Sequence, residues 1–200
     1  MDVMAGRYDG ILAQASAVSV ALDERDPATF QHCDRVAWLT HDLGVRCGLS
    51  ERELVLLRVA AAFHDVGKIG IPDRVLKKAT PFDESDWEIM RSHAVKSERI
   101  MRAVGLDGGD EIARGIRHHH ERFDGTGYPD RLAGKDIPLL ARIVAIADAY
   151  DAMARERSYA PSRTHEEIME ELYRERGRQH DPDLLEKFAE VIERSSYRAA

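Results

Sequence analysis

Apolar side chains recur along most of the chain at the three- and four-residue spacing of amphipathic helices, and no stretch reads convincingly as a strand. The spacing predicts a helix over residues 7–23, carried by Ile11, Ala15, Val18 and Leu22. Asp26-Pro27 reads as an N-cap followed by proline at the first helical position. It opens a helix in which His32, Val36, Leu39 and Leu43 share one face, and which stops near Gly48. Ser50 and Glu53 have capping-box spacing and start a helix ending at His64-Asp65. Pro81 to Met90 reads as another, with His93 at its end. A further helix runs from about Asp110 and gathers Ile112, Ile116, His119 and His120 on one side, with His118 pointing away. Asp136-Ile137-Pro138 opens a helix reaching about Arg155 that is apolar on two sides and therefore expected to be buried. Thr164 and Glu167 repeat the capping-box spacing for a helix ending at Gly177, and Asp181-Pro182 starts a last one with Leu185, Phe188, Val191 and Ile192. The expected fold is an all-α, single-domain bundle, with residues 1–25 as an N-terminal helix packed on a core domain of residues 26–200.

Composition narrows the class. Two hundred residues with 44% hydrophobic content suit one compact domain with a sizeable core. A net charge of −7 argues against nucleic-acid or membrane adhesion, which uses basic patches. A small anionic ligand stays compatible if bound metal ions reverse the local field. Cys33 and Cys47 lack C-x-x-C spacing and read as reduced packing residues. The first twenty residues carry Asp2, Arg7 and Asp9 and no long apolar run, so no signal peptide or membrane span is expected and the cytoplasm is the expected location.

The candidate chemistry sits on the apolar stripes. His64, Asp65 and Lys68 fall on one face at the polar end of an apolar helix, and a buried charge is costly unless paired or bound to a metal. Read alone, the His-Asp pair would cap a buried helix, His32 would be a satisfied core histidine and His93 a solvated or capping one. The His118-His119-His120 run would be a basic patch, and Asp148 and Asp151 would pair with core cations. Arg35, one turn after His32, could orient it or a phosphate. Taken together, His32, His64, Asp65, His93, His119, His120 and Asp148 are too many ligand types for chance. Nitrogen and carboxylate donors without thiolate suit iron, manganese, nickel, cobalt or zinc, and seven exceed one ion's shell. Two metals sharing a bridging aspartate imply attack by an activated water on phosphorus, in a phosphodiester or phosphomonoester.

His64-Asp65 followed by Gly67-Lys68-Ile69-Gly70-Ile71-Pro72-Asp73, with His119-His120-Glu121-Arg122-Phe123-Asp124-Gly125-Thr126-Gly127-Tyr128-Pro129 and Ala147-Asp148-Ala149-Tyr150-Asp151-Ala152, resembles the HD-GYP family of the HD hydrolase superfamily. The resemblance runs from about Asp26 to Phe188. It implies a cyclic di-GMP phosphodiesterase using iron or manganese, with the seven residues as metal ligands and Asp65 as their bridge. It also implies that Lys68 contacts phosphate or the active water, that Asp151 and Arg157 lie near the ligand, and that Tyr128 and its neighbour Gly127 line the guanine site. Ala160 stands where many members carry a cation, and Ala28 where some carry a glutamate ligand for a third metal, so two ions are expected. The competing readings are hydrolysis of another cyclic dinucleotide, such as the mixed adenine-guanine ring, and a signalling module whose GYP loop docks a diguanylate cyclase or adaptor. A di-iron oxygenase is disfavoured by the GYP loop.

Overall fold

The computed structural model describes residue 18, residues 20–155 and residues 162–199. Among them the regular structure is helical: α1 (Pro27–Arg46), α2 (Glu51–Phe63), α3 (Asp73–Leu76), α4 (Glu84–Val104), α5 (Gly109–Arg117), α6 (Leu139–Ala154), α7 (His165–Arg174) and α8 (Pro182–Ile192). Two short 3-10 turns, Val66–Gly70 and Gly134–Asp136, follow α2 and precede α6. Residues 20–25 are helical, and most of the N-terminal helix expected over 7–23 lies outside the described residues.

Side-chain caps start five of these eight helices. Asp26 caps α1 by accepting from the Thr29 amide at 3.3 Å, with Pro27 behind it. Ser50, Asp83 and Thr164 each close a full capping box, with Glu53, Asp86 and Glu167 respectively. The core is built where α2 and α6 meet α1 and α5, from Leu39, Leu43, Leu57, Val59, Ile112, Ile116, Ile143 and Val144, with Phe188 of α8 closing one side. Each such side chain contributes roughly 1.5–3 kcal/mol on burial. Gly115 lets α5 press onto α6, since a β-carbon there would sit 3.0 Å from that of Leu140.

Three expectations need correction. The helix expected over Pro81 to Met90 is α4, which begins later and runs on to Val104, so His93 is at its middle and not its end. Its inward face runs through His93, Ala94 and Ser97, where backbone packs against small and polar side chains, before Met101 returns to the apolar core. A β-carbon on Gly67 would lie 2.1 Å from the His93 carbonyl oxygen, and the Gly67 amide donates to Ser97 Oγ at 2.7 Å. Helix α5 stops at Arg117, so His119 and His120 project from the turn beyond it. Helix α7 ends at Arg174, and Gly177, at φ 74°, serves the following turn. No helix among the described residues is long and apolar enough to cross a membrane.

Candidate metal centre and substrate pocket

Four elements and one turn converge on a single buried cluster. Asp65, His93, His119 and His120 place one ligand atom each within 4.8 Å of one another, and His32, His64 and Asp148 do the same beside them. All seven residues expected as ligands from the sequence are therefore brought together. Asp65 joins the two groups: its Oδ1 lies 3.2 Å from His93 Nε2, and its Oδ2 lies 3.5 Å from His64 Nε2. Asp148 Oδ1 stands 3.0 Å from His32 Nε2 and 3.9 Å from His64 Nε2.

The histidine rings are held by their outer nitrogens. His64, His93 and His119 each donate Nδ1–H to the backbone carbonyl three residues earlier, of Ala61, Met90 and Ile116, at 2.7, 2.7 and 2.6 Å. A neutral ring that donates from Nδ1 carries its lone pair on Nε2, the form that binds metal. All three Nε2 atoms, and Asp65 Oδ1, are buried with no hydrogen-bond partner. An unpaired buried acceptor costs about 1–3 kcal/mol, and four shared between two adjoining ligand groups call for cations, so the residues fit a metal centre.

Charge agrees with this. Burial pushes Asp65 towards protonation, but the Lys68 ammonium, the largest of the opposing charges, reverses this and the carboxylate stays ionised, well below its usual range. Burial also lowers His93, His119 and His120, the last to about 3, so these rings are neutral donors. His32 differs. Burial disfavours its charged form, yet hydrogen bonds to Asp148 and Asp151 raise its pKa to about 9.

Around the ligands stands a supporting shell. Asp151 is buried; its Oδ2 meets His32 Nδ1 at 2.8 Å while Arg35 grips both its oxygens at 2.7 and 2.8 Å. Both oxygens are thus engaged by His32 and Arg35, which fits Asp151 to aligning His32, and Asp151 also lines the cavity over the cluster. Arg35 orients His32 through that carboxylate. Lys68 Nζ sits 2.5 Å from Asp65 Oδ2 at the edge of the site. Cys33 is buried 3.8 Å from His64 Nδ1, and burial pushes its thiol well up, in keeping with a packing role.

The loop after α5 covers the cluster. Tyr128 stacks on His120 with ring centroids 4.9 Å apart, and the Tyr128-Pro129 peptide is cis. Gly127 is buried, and a β-carbon there would fall 2.3 Å from the Arg122 amide nitrogen, so close backbone packing requires glycine. His118 does point away from the metal cluster, but it is not idle. Its Nδ1 and Nε2 meet the Arg114 carbonyl and Asp130 Oδ2, each at 2.8 Å, and Arg117 clasps the same Asp130 at 2.7 and 2.8 Å. The Asp130 amide in turn donates to Glu121 at 2.7 Å. This clamp, missed from sequence because Asp130 lies beyond the helical pattern, fixes the far end of the loop. A cavity of about 870 Å³ opens over the cluster, lined by Thr29, His32, Lys68, Trp87, Tyr128 and Arg155 among others. Arg157 and Ala160 lie outside the described residues.

A helical bundle that focuses histidine and aspartate on one buried point is a scaffold suited to holding metal ions. The chain belongs to the HD domain family, whose model matches residues 16–184. Within that class its His64-Asp65 and Gly127-Tyr128-Pro129 motifs place it among the HD-GYP proteins. It is 40% identical over 173 residues to 3'3'-cGAMP-specific phosphodiesterase 2 of Vibrio cholerae, covering 85% of this chain and 33% of that protein. It is 37% identical over 188 residues to the cyclic di-GMP phosphodiesterase of Thermotoga maritima, covering 92% of this chain and 50% of that one. The chain thus spans half or less of the length of these two relatives. A crystal structure of a V. cholerae cyclic GMP-AMP specific phosphodiesterase shares the fold, with a TM-score of 0.68, 24% identity, and coverage of 90% of this chain and 48% of that one.

Proposed function

We propose that the protein hydrolyses a guanine-containing cyclic dinucleotide, cyclic di-GMP in the first instance, at a centre of two divalent ions, iron or manganese. The observation that carries this is the set of orphaned Nε2 atoms on His64, His93 and His119 facing the ionised Asp65. His32, His64 and Asp148 would hold one ion and His93, His119 and His120 the other, with Asp65 between them. Such a pair supplies a bound water of lowered pKa and neutralises charge building on phosphate. The protein's own groups do the rest. The carbonyl-bound Nδ1 atoms keep the rings in register, and Arg35 with Asp151 aims His32 Nε2. Lys68 offers an ammonium beside Asp65 that can meet a non-bridging phosphate oxygen as charge develops. Burial keeps the Tyr128 phenol protonated, so it can donate to an anionic ligand but not compete with it.

Hydrolysis of the mixed GMP-AMP ring is the second reading, favoured by the names of relatives such as the 40%-identical Vibrio enzyme. A docking role for the GYP loop, on a diguanylate cyclase or adaptor, has less support because Tyr128 is turned onto His120. The test is metal analysis of the purified protein with chromatography of products from both rings. Bound iron or manganese near two per chain with cleavage of cyclic di-GMP is expected. A metal-loaded protein that cleaves neither ring would reject the proposal.

A further inference from the structure

A line of rings leads from the metal cluster out to solvent, and its outer half has no part in the chemistry above. Tyr128 stacks on His120; the Arg91 guanidinium lies 5.7 Å from the Tyr128 ring centre and 5.7 Å from that of Trp87; Trp87 meets Phe82 edge-on at 5.1 Å. Phe82, Trp87 and Tyr128 all line the cavity. Trp87 nonetheless leaves 46% of its surface exposed. Arg91, one turn after it on α4, is paired with no carboxylate among the described residues. At 5.7 Å from each centroid its guanidinium lies over both rings within cation–π range, which leaves its N–H donors uncommitted to a carboxylate.

The molecule supplies its own control. Trp38, 43% exposed, also carries an arginine, Arg58, 5.1 Å from its ring, but it does not line the cavity. An exposed tryptophan beside an arginine is therefore not in itself a site. What sets Trp87 apart is continuity with the cavity and, through Tyr128, with the metal ligands.

We infer that Trp87 and Arg91 form a nucleobase subsite, in which a purine of the cyclic dinucleotide stacks on Trp87 and Arg91 reads its edge. This rests on the cyclic-dinucleotide reading and deepens it. Aromatic stacking is tolerant of base identity, since every base has a π-face. The arginine fork is not: it matches the paired O6 and N7 acceptors of guanine, whereas adenine offers one acceptor beside a donor. Trp87 thus supplies affinity, and Arg91 the preference for guanine-containing rings.

The test uses the metal-loaded protein with three phosphodiesters: cyclic di-GMP, cyclic di-AMP and bis(4-nitrophenyl) phosphate, which has no purine. Trp87→Ala should raise KM for cyclic di-GMP about tenfold more than for bis(4-nitrophenyl) phosphate, the scale of one lost base stack. Arg91→Met should cut the kcat/KM ratio of cyclic di-GMP over cyclic di-AMP about tenfold. In a Trp38→Phe background, where Trp87 is the remaining tryptophan, stopped-flow mixing with cyclic di-GMP should quench the fluorescence before turnover. Equal loss on all three substrates, or wild-type KM with no quench, overturns the subsite while leaving the enzyme reading intact. Wild-type protein that cleaves bis(4-nitrophenyl) phosphate but neither ring brings down the reading and the subsite with it.

Discussion

His118 and His119 are neighbours in one turn and both are buried, yet they are bonded in opposite ways. His119 spends Nδ1 on the Ile116 carbonyl and leaves Nε2 with nothing, facing three other ligand-type residues. His118 has both nitrogens occupied, by the Arg114 carbonyl and by Asp130. His118 also stands near Glu121 and Asp130, in a group close enough on distance alone to hold a cation. Proximity therefore does not distinguish the two clusters. Satisfaction of the histidines does: His64, His93 and His119 leave Nε2 unpartnered in the inner cluster, whereas His118 has both nitrogens paired and Arg117 supplies positive charge at Asp130, leaving Glu121 Oε2 as the outer group's one orphaned oxygen among the described residues.

The comparison breaks most visibly at Asp65. Asp65→Ala should reduce turnover to below about a thousandth of wild type and lower bound metal, because one carboxylate serves both halves of the inner cluster. Near-normal metal content in that variant would mean the two halves do not share a bridge. Lys68→Ala should have a smaller effect, about 10- to 100-fold, falling on kcat more than KM, since an ammonium at the rim acts on developing charge. A pure KM defect would move Lys68 to ground-state binding.

His118→Ala tests the other side. Full metal content with a stability loss of about 1–2 kcal/mol is expected, read from urea unfolding, because Asp130 loses one of its anchors and keeps Arg117. Loss of a metal ion from this variant would erase the distinction between the clusters.

Much of this was legible in the chain, and the reason is physical. Capping at Asp26-Pro27, Ser50, Thr164 and Asp181 is local hydrogen bonding, so sequence spacing suffices to find it. Ligand-type side chains on apolar stripes stand out because burial of polarity needs a partner. Helix α4 reads short in the sequence because its inward face packs against backbone at Gly67 through His93 and Ser97, and that stretch interrupts the apolar period before Met101. The Asp151–Arg35 pair and the Arg91 position between Trp87 and Tyr128 were out of reach for another reason. Each joins segments far apart in the chain, and no periodicity reports which of several cations a carboxylate or ring will meet.

His180 offers the finest test, because it has an orphaned nitrogen without a cluster. Its Nδ1 is buried and unpartnered, like the inner Nε2 atoms, but it belongs to none of the ligand groups among the described residues. If an orphaned nitrogen alone made a ligand, His180→Phe would cost metal; if convergence is required, metal content should be unchanged. The same variant has a signature of its own in pH. Burial lowers the His180 pKa to about 4, so below the ordinary value near 6.5 the unfolded chain takes up a proton that the folded one refuses. Stability is therefore lost as pH falls from about 6.5 to 4, by roughly 3 kcal/mol from this group. His32 works in the opposite window: its pKa of about 9 gives stability that is complete below about 6.5 and fades as pH rises through 9. Urea midpoints of metal-free protein at pH 4.5 and 7 should then lie closer together in His180→Phe than in wild type, with the alkaline limb unmoved. An unchanged gap would show that the His180 ring is not the buried neutral group that its surroundings make it.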